Sequence, residues 1–181
     1  MSDLNLDWLP QRKSIRLKDY DYTRSSAYFI TLATYQRRRI LSRVVNSGID
    51  LLDLGQIVKA EWLLLPSIRP FAAVSEEFLI VMPDHIHAVV WLEHHQDIMS
   101  GLHRELSVNN HPSGYRPMSL SSVVAGFKSR VTVKWRRLTG DKNANVWQRN
   151  YYETVIRGPK HLERVREYIL DNPRRWAERR S

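Results

Sequence analysis

The fold of this chain is decided by the stretch from Phe71 to Glu93, which reads FAAVSEEFLIVM-PD-HIHAVVWLE. Two runs rich in β-branched and aromatic residues flank the dipeptide Pro83-Asp84, and a dipeptide of this kind is typical of a tight turn. We therefore predict two strands, Phe71–Met82 and His85–Glu93, that pair as an antiparallel hairpin.

The elements on either side of this hairpin are predicted from periodicity and from prolines. Apolar residues with strand-like or helical spacing alternate along the chain, and we expect the last helix to end near Asn172 because Pro173 disfavours helix in the residue before it. The predicted elements outside the hairpin are a strand over 28–35, a helix over 49–65, a helix over 119–138, a strand over 152–157 and a helix over 159–172.

The order βαββαβ predicts an α+β fold of the ferredoxin-like kind, an antiparallel sheet with helices on one face, followed by a C-terminal helix. No repeat or linker divides the 181 residues, so we expect one domain over 27–181. Residues 1–26 are polar and basic without a clear period and are interpreted as an N-terminal arm. The polar segment His94–Pro117 is predicted to be a surface loop.

Composition favours a polyanionic partner. The formal net charge is +9 and the pI is about 10.0, which points to nucleic acid. The chain has no cysteine, which excludes disulfides and thiolate nucleophiles. No apolar run reaches transmembrane length and no signal peptide is recognisable, so we expect no membrane association and a cytoplasmic, nucleoid-associated protein.

His85 and His87 are the first candidates for chemistry. Side chains alternate along a strand, so both imidazoles are expected on one face while Ile86 points to the other. Two strand histidines could equally be hydrogen-bonded surface residues. A divalent metal would need a third ligand from a neighbouring element. Tyr168 and Asn172 are four residues apart and therefore share a helix face, although they could also be a core-edge aromatic and a helix cap.

Three motifs in sequence order resemble those of the REP-associated tyrosine transposases, which belong to the single-tyrosine HUH transposases. The motifs are VMPDHIHAVVWL at 81–92, VWQRNYYE at 146–153 and YILDNP at 168–173. The resemblance covers roughly residues 12 to 176. It departs from the family pattern at Thr154, where the family often has histidine, and this leaves the role of that position open.

The resemblance implies a function and its residues. His85 and His87 would bind Mg²⁺ or Mn²⁺, with Asn172 as the third ligand and Tyr168 as the nucleophile. The reaction implied is cleavage and rejoining of single-stranded or hairpin, REP-like DNA through a 5′-phosphotyrosine. Tyr151 and Tyr152 are rival nucleophiles.

Basic and aromatic side chains are expected to contact the DNA, the former at phosphates and the latter by stacking on unpaired bases. A solvated basic face with core aromatics would give the same pattern. The predicted DNA-binding residues are Arg12, Lys13, Arg16, Arg37, Arg38, Lys128, Arg130, Lys134, Arg149, Trp147, Tyr151 and Tyr152. Further cations that could neutralise phosphates are Arg39, Arg136, Arg174 and Arg175.

Two other functions fit the same sequence. A transposase relic that binds nucleic acid without catalysis would form no covalent adduct. A metal-dependent nuclease that activates water would cut DNA without becoming attached to it. The sequence leaves open the target DNA, the preferred ion and whether the active unit is a monomer or a homodimer.

Overall fold

The structure is a computed structural model that describes residues 26–93 and 118–178. The elements in chain order are β1 (Ser26–Ala33), β2 (Ser42–Val45), β3 (Gly48–Leu51), α1 (Asp53–Leu63), α2 (Leu65–Ile68), β4 (Ala72–Val81), β5 (His85–Leu92), α3 (Leu120–Thr139), β6 (Tyr152–Val155) and α4 (Pro159–Glu178).

Four strands form the main sheet in the order β4-β5-β1-β6, and each neighbouring pair is antiparallel. This is the ferredoxin-like topology, so the predicted α+β fold is confirmed. The β4–β5 hairpin is also confirmed: Val81 pairs with Ile86, and the Met82 amide donates to the His85 carbonyl at 2.9 Å.

Alternation along β1 assigns the two faces of the sheet. Tyr28, Ile30 and Leu32 belong to the larger core, which α1 and α3 cover. Phe29 points to the opposite face, where it packs in a smaller cluster with Val89 of β5 and with apolar residues of α4. The C-terminal helix therefore lies alone among the described helices on the face that carries residues 85 and 87.

The helix predicted over 49–65 is wrong in its first turn. Gly48–Leu51 is strand β3, which pairs with β2 across a turn at Asn46 and Ser47, both with positive φ. Leu51 lies three residues before Leu54, so it fits the helical period of the apolar residues that follow. An apolar residue at the end of a strand fits the same sequence equally well. The short helix α2 follows α1 and tolerates Pro66 because proline near a helix start removes no needed N–H donor.

The last helix was predicted to end near Asn172, and this is wrong. Asn172 and Pro173 are buried inside α4, and the helix continues beyond them. An interior proline removes one backbone hydrogen bond and costs about 3 kcal/mol. Ion pairs from Asp171 to Arg174 and to Arg175 span the proline and help to hold the helix together there.

α3 joins α1 through a buried ion-pair cluster in addition to apolar contacts. Ser119 caps the start of α3, and Gly140 with φ of +71° ends it. On α1, Glu61 is only 1% exposed and accepts from Arg130 at 2.7 Å and from Lys134 at 2.5 Å. Within the described residues, no helix is long and apolar enough to span a membrane.

We predict that Glu61→Gln lowers the free energy of unfolding by about 1 to 3 kcal/mol at neutral pH, because two charge-assisted hydrogen bonds lose their anion. Burial alone would raise the pKa of Glu61, but the hydrogen bonds from Lys134 and Arg130 lower it below its ordinary value of 4.5. The stabilisation is therefore present above that value and is lost as the pH falls through the lowered pKa.

Urea unfolding across this pH range measures the effect. The matched control is Glu76→Gln, since Glu76 forms an ion pair with Lys59 but is 64% exposed, and we expect a change of about 1 kcal/mol or less there. Equal losses in the two variants would contradict the proposed contribution of the buried cluster.

Candidate active site

His85 and His87 lie side by side on the α4 face of β5. Both are buried, with 8% and 5% of their surface exposed. Their Nε2 atoms are 3.1 Å apart, so the two imidazoles present the same nitrogen to the same point. The alternation predicted for this strand is therefore confirmed for the histidine pair, with Ile86 in the core on the other side.

Each imidazole is held at its other nitrogen. His85 Nδ1 lies 2.5 Å from the Asp84 carboxylate, which accepts when ionised. His87 Nδ1 lies 2.8 Å from the hydroxyl of Thr31, the residue directly opposite on β1. With Nδ1 as the donor, Nε2 of each ring is left with a free lone pair, which is the arrangement that metal-binding histidines use.

The electrostatics favour a neutral imidazole at His87. Burial lowers the pKa of His87 well below its ordinary value of 6.5, and the charges of His85 and Arg37 lower it further. Burial would raise the pKa of Asp84, but the hydrogen bond from His85 and the Arg37 guanidinium at 3.7 Å outweigh it, so this pKa is lowered. At neutral pH His87 is a neutral imidazole, and the carboxylate beside His85 is ionised.

α4 adds a hydroxyl and an amide to the same place. The Tyr168 hydroxyl is 3.4 Å from His87 Nε2, and the Tyr168 ring packs edge-on against Phe29. Asn172, 9% exposed, donates from Nδ2 to the Tyr168 carbonyl at 2.9 Å. This hydrogen bond uses the amide nitrogen, so the amide oxygen is the atom that remains for a ligand.

These groups surround one cavity of about 310 Å³ between the sheet and α4. Its lining residues are Thr31, Arg37, Asp84, His85, His87, Tyr168, Asn172, Arg175 and Trp176. The structure thus brings together the four residues that the sequence singled out for catalysis and metal binding.

Three cavity residues were missed by the sequence reasoning. Thr31 could not be found without the register of β1 on β5. Asp84 was interpreted only as a turn residue, although its position next to His85 was a usable signal. Trp176 lies beyond Pro173, where no helix was expected, and its ring centroid is 6.0 Å from that of His85.

The donor set fits a divalent cation with mixed nitrogen and oxygen ligands. The parts of the chain that the structure describes contain no group of three or more His, Cys, Asp or Glu side chains suited to a metal. Two imidazole nitrogens and the Asn172 amide oxygen would supply three ligands, and such a set suits Mg²⁺ or Mn²⁺ with open positions.

Several predicted DNA-binding cations make contacts inside the protein. Arg130 and Lys134 bind Glu61. Lys128 donates to the carbonyls of Gln148, Arg149 and Asn150, at 2.8, 3.4 and 3.3 Å. Burial lowers the pKa of Lys128 to about 8. These contacts within the protein give the three cations a structural role. Any contact of theirs with DNA would be in addition to that role.

The other predicted DNA-binding residues divide by position. Arg37, Arg38 and Arg149 are exposed, and Arg38 also donates to the Asn145 carbonyl. Trp147 is buried in the larger core. Arg12, Lys13 and Arg16, together with most of the predicted arm and the predicted loop 94–117, lie outside the described residues.

The two rival tyrosines point to opposite faces of the sheet, Tyr152 from the first residue of β6 and Tyr151 from the residue before it. Tyr151 packs against the larger core and lies beneath the Lys128 ammonium, away from the histidines. Tyr152 pairs with Thr31 and is 45% exposed. It lines a second cavity of about 170 Å³ with Thr154, His87 and Tyr168 among its other walls. Only Tyr152 of the pair therefore shares the face of the site.

Comparison with known proteins adds to this geometry. A solved structure of a REP-associated tyrosine transposase bound to a REP hairpin superposes with a TM-score of 0.53 at 20% identity, covering 88% of this chain and 74% of that one. The chain therefore has the fold of that transposase, as the resemblance in sequence predicted. No family model matches.

The chain is also 34% identical over 170 residues to an uncharacterized protein of Haemophilus influenzae (strain ATCC 51907 / DSM 11121 / KW20 / Rd). The alignment covers 92% of this chain and 91% of that protein. At this identity and coverage the chain belongs to the same family as the Haemophilus protein.

We predict that Lys128→Met lowers the free energy of unfolding by about 1 to 3 kcal/mol, because the Gln148 carbonyl loses a charged donor in a half-buried position. Urea unfolding measures the loss. The control is Lys142→Met, at an exposed turn residue, for which we expect a change within about 0.5 kcal/mol. If the two variants were equally stable, the structural role of Lys128 would be wrong.

Proposed function

We propose that this protein is a metal-assisted tyrosine transposase that cleaves and rejoins single-stranded, hairpin-containing DNA. The observation that supports this best is the convergence on one cavity of two imidazole Nε2 atoms 3.1 Å apart and a tyrosine hydroxyl 3.4 Å from one of them. Asn172 lines the same cavity. A purely structural pair of histidines would have no need of a tyrosine hydroxyl and an amide in the same cavity.

The residues divide into ligands, positioning groups and a nucleophile. His85, His87 and Asn172 would hold Mg²⁺ or Mn²⁺. Asp84 and Thr31 fix the tautomer and orientation of the imidazoles through Nδ1. When bound, the ion would act as a Lewis acid on a phosphate oxygen. The T-shaped contact with Phe29 and the turn of α4 that carries Asn172 hold the Tyr168 ring at the cavity.

The proposed reaction is a balanced transesterification. The Tyr168 oxygen attacks the phosphorus, a bond from that oxygen to phosphorus forms, and the bond from phosphorus to the 3′-oxygen breaks. The phenol loses its proton to solvent and the departing 3′-oxygen gains one. The products are a 5′-phosphotyrosine and a free 3′-hydroxyl, so the bond energy is retained and a second strand end can reverse the step.

Charge and access to the cavity support the DNA partner that we propose. A chain with a net charge of +9 binds phosphates strongly at low salt. A flexible single strand can enter a cavity between sheet and helix more easily than a stiff duplex. The structural neighbour was solved with a REP hairpin, and we propose a hairpin-containing strand for this chain also, on DNA in the nucleoid. The basic residues of the N-terminal arm would assist in gripping it.

We predict that Tyr168→Phe abolishes covalent attachment to a labelled hairpin-containing strand while binding stays within about threefold of wild type, because only one oxygen is removed and its loss costs about 1 kcal/mol or less in stability. Denaturing electrophoresis detects the adduct, and mass spectrometry locates it. Tyr35→Phe, which removes the same oxygen from an exposed residue, is the control and should form the adduct normally.

The outcomes separate the competing functions. DNA cleavage by the Tyr168→Phe variant without any adduct would indicate a nuclease that activates water. Binding without cleavage by the wild-type protein would indicate a non-catalytic relic. An adduct on Tyr152 or Tyr151 would move the nucleophile to β6 or to the residue before it.

We predict that Thr31→Val weakens Mn²⁺ binding by about 10- to 100-fold, because partners that orient ligand histidines typically have effects of this size. Isothermal titration of the folded protein with Mn²⁺ measures this without any reaction. The control is Thr132→Val, whose hydroxyl donates to the Lys128 carbonyl within α3 and which should leave Mn²⁺ affinity unchanged. Equal Mn²⁺ affinity in all three proteins would contradict the role of Thr31 in orienting His87.

A further inference from the structure

Two consecutive arginines of α4, Arg174 and Arg175, bind the same carboxylate but face different surroundings. Arg174 is 56% exposed, and all three of its guanidinium nitrogens bind carboxylates: Nε and Nη2 bind Asp171, and Nη1 binds Glu178. Arg175 is 20% exposed and lines the cavity of the candidate active site. The sequence alone gives no reason to separate them.

The guanidinium of Arg175 is held, but its hydrogen-bonding capacity is only partly used. Its Nε donates to Asp171 Oδ2 at 2.5 Å. Within the described residues this is the hydrogen bond found for its guanidinium, so Nη1 and Nη2 remain for a ligand. Its central carbon lies 6.0 Å from the centre of the Tyr168 ring. A fixed cation therefore lies over the Tyr168 ring, in the wall of the cavity that the histidine pair also lines.

The proposed reaction supplies a ligand for this cation, namely the phosphodiester that the tyrosine attacks. When a tyrosine oxygen attacks a phosphodiester, negative charge increases on the two non-bridging oxygens, and donors placed at those oxygens stabilise the transition state. A guanidinium fits this task because its planar pair of N–H groups matches two phosphate oxygens. Arg37 is the other arginine at the cavity, but it is 51% exposed and faces the Asp84 carboxylate at 3.7 Å.

We propose that Arg175 binds the non-bridging oxygens of the scissile phosphate through Nη1 and Nη2, while Asp171 holds it in place through Nε. This inference rests on the proposed function, because it assumes that the scissile phosphate lies beside Tyr168. It also gives the last turn of α4 a function, because without that turn no residue at position 175 would reach the cavity.

The first test compares variants that remove the same charge. With saturating DNA, Arg175→Ala should lower the single-turnover rate of adduct formation by about 100-fold, the usual effect of removing one transition-state donor. Arg174→Ala, on the solvent side of the same ion pair, should lower it by about threefold or less, as expected for a long-range charge in salt. Arg175→Lys keeps the charge but loses the paired donors, and its rate should fall between the two.

The second test identifies the atom that is bound. In the Tyr168→Phe background, binding is measured for a normal strand and for one with a neutral methylphosphonate at the scissile position. We expect the modification to weaken binding about tenfold more in the protein with Arg175 than in the protein with Arg175→Ala. The bound ion and the other cations are common to both proteins, so the difference between them reports the contact between Arg175 and the phosphate charge.

The outcomes distinguish this proposal from the proposed function. If the wild-type protein forms no adduct, the proposed function fails. If it forms the adduct and Arg175→Ala reacts as fast as Arg174→Ala, only the role of Arg175 is overturned. The role of Arg175 is also overturned if the methylphosphonate weakens binding equally with and without Arg175. This binding measurement requires only that the Arg175→Ala variant is folded, which circular dichroism checks.

Discussion

The antiparallel pairing of β1 with β5 is the constraint on which the site depends. These are the two central strands of the sheet, and their register sets Thr31 opposite His87 and Ala33 opposite His85. Because side chains alternate with a period of two, a shift of one residue would turn both histidines into the larger core and Ile86 into the cavity. The buried apolar residues of β1 and β5 make that shift costly, so the core itself fixes the position of the imidazoles.

The site also requires α4 to pack on the face of the sheet opposite the larger core. Phe29 and Val89 of the sheet pack against Val165 and Ile169 of the helix. Tyr168 and Asn172 lie on the adjoining side of the same helix, so the apolar contact also sets their distance from the histidines. Burying polar groups beside such a contact is costly unless they are paired. The Asp84 and Thr31 partners meet this need for the imidazoles and leave Nε2 of each exposed to the cavity.

The sequence predicted the sheet well and the site partly, for identifiable reasons. The β4–β5 hairpin and the face of His85 and His87 follow from local rules of turn and alternation. The start of the helix at 49–65 was wrong because Leu51 fits two periods. The helix end at Asn172 was wrong because contacts across Pro173 outweigh its local preference. Thr31 depends on pairing between strands far apart in sequence, and no local pattern contains that information.

Local sequence patterns also predict only part of what the basic residues do. Counting charge predicts a class of partner, but it cannot tell a cation that binds the protein from one that is free to bind DNA. Lys128 and Arg130 both bind groups of the protein itself. Arg175 differs from its neighbour only through burial and the direction of the helix. Arg174 and Arg175 are distinguished by their positions in three dimensions, which depend on the packing of α4.

Pulsed electron paramagnetic resonance of Mn²⁺ is the most direct measurement of the site. The sample is the Tyr168→Phe variant with Mn²⁺ and a hairpin-containing single strand, so that nothing is cleaved. Binding of the ion by His85 and His87 beside a DNA phosphate predicts couplings to imidazole nitrogens and to a phosphorus nucleus in the same complex. A manganese signal without nitrogen coupling, in a protein that binds the strand, would contradict the assignment of these histidines to metal-assisted DNA chemistry.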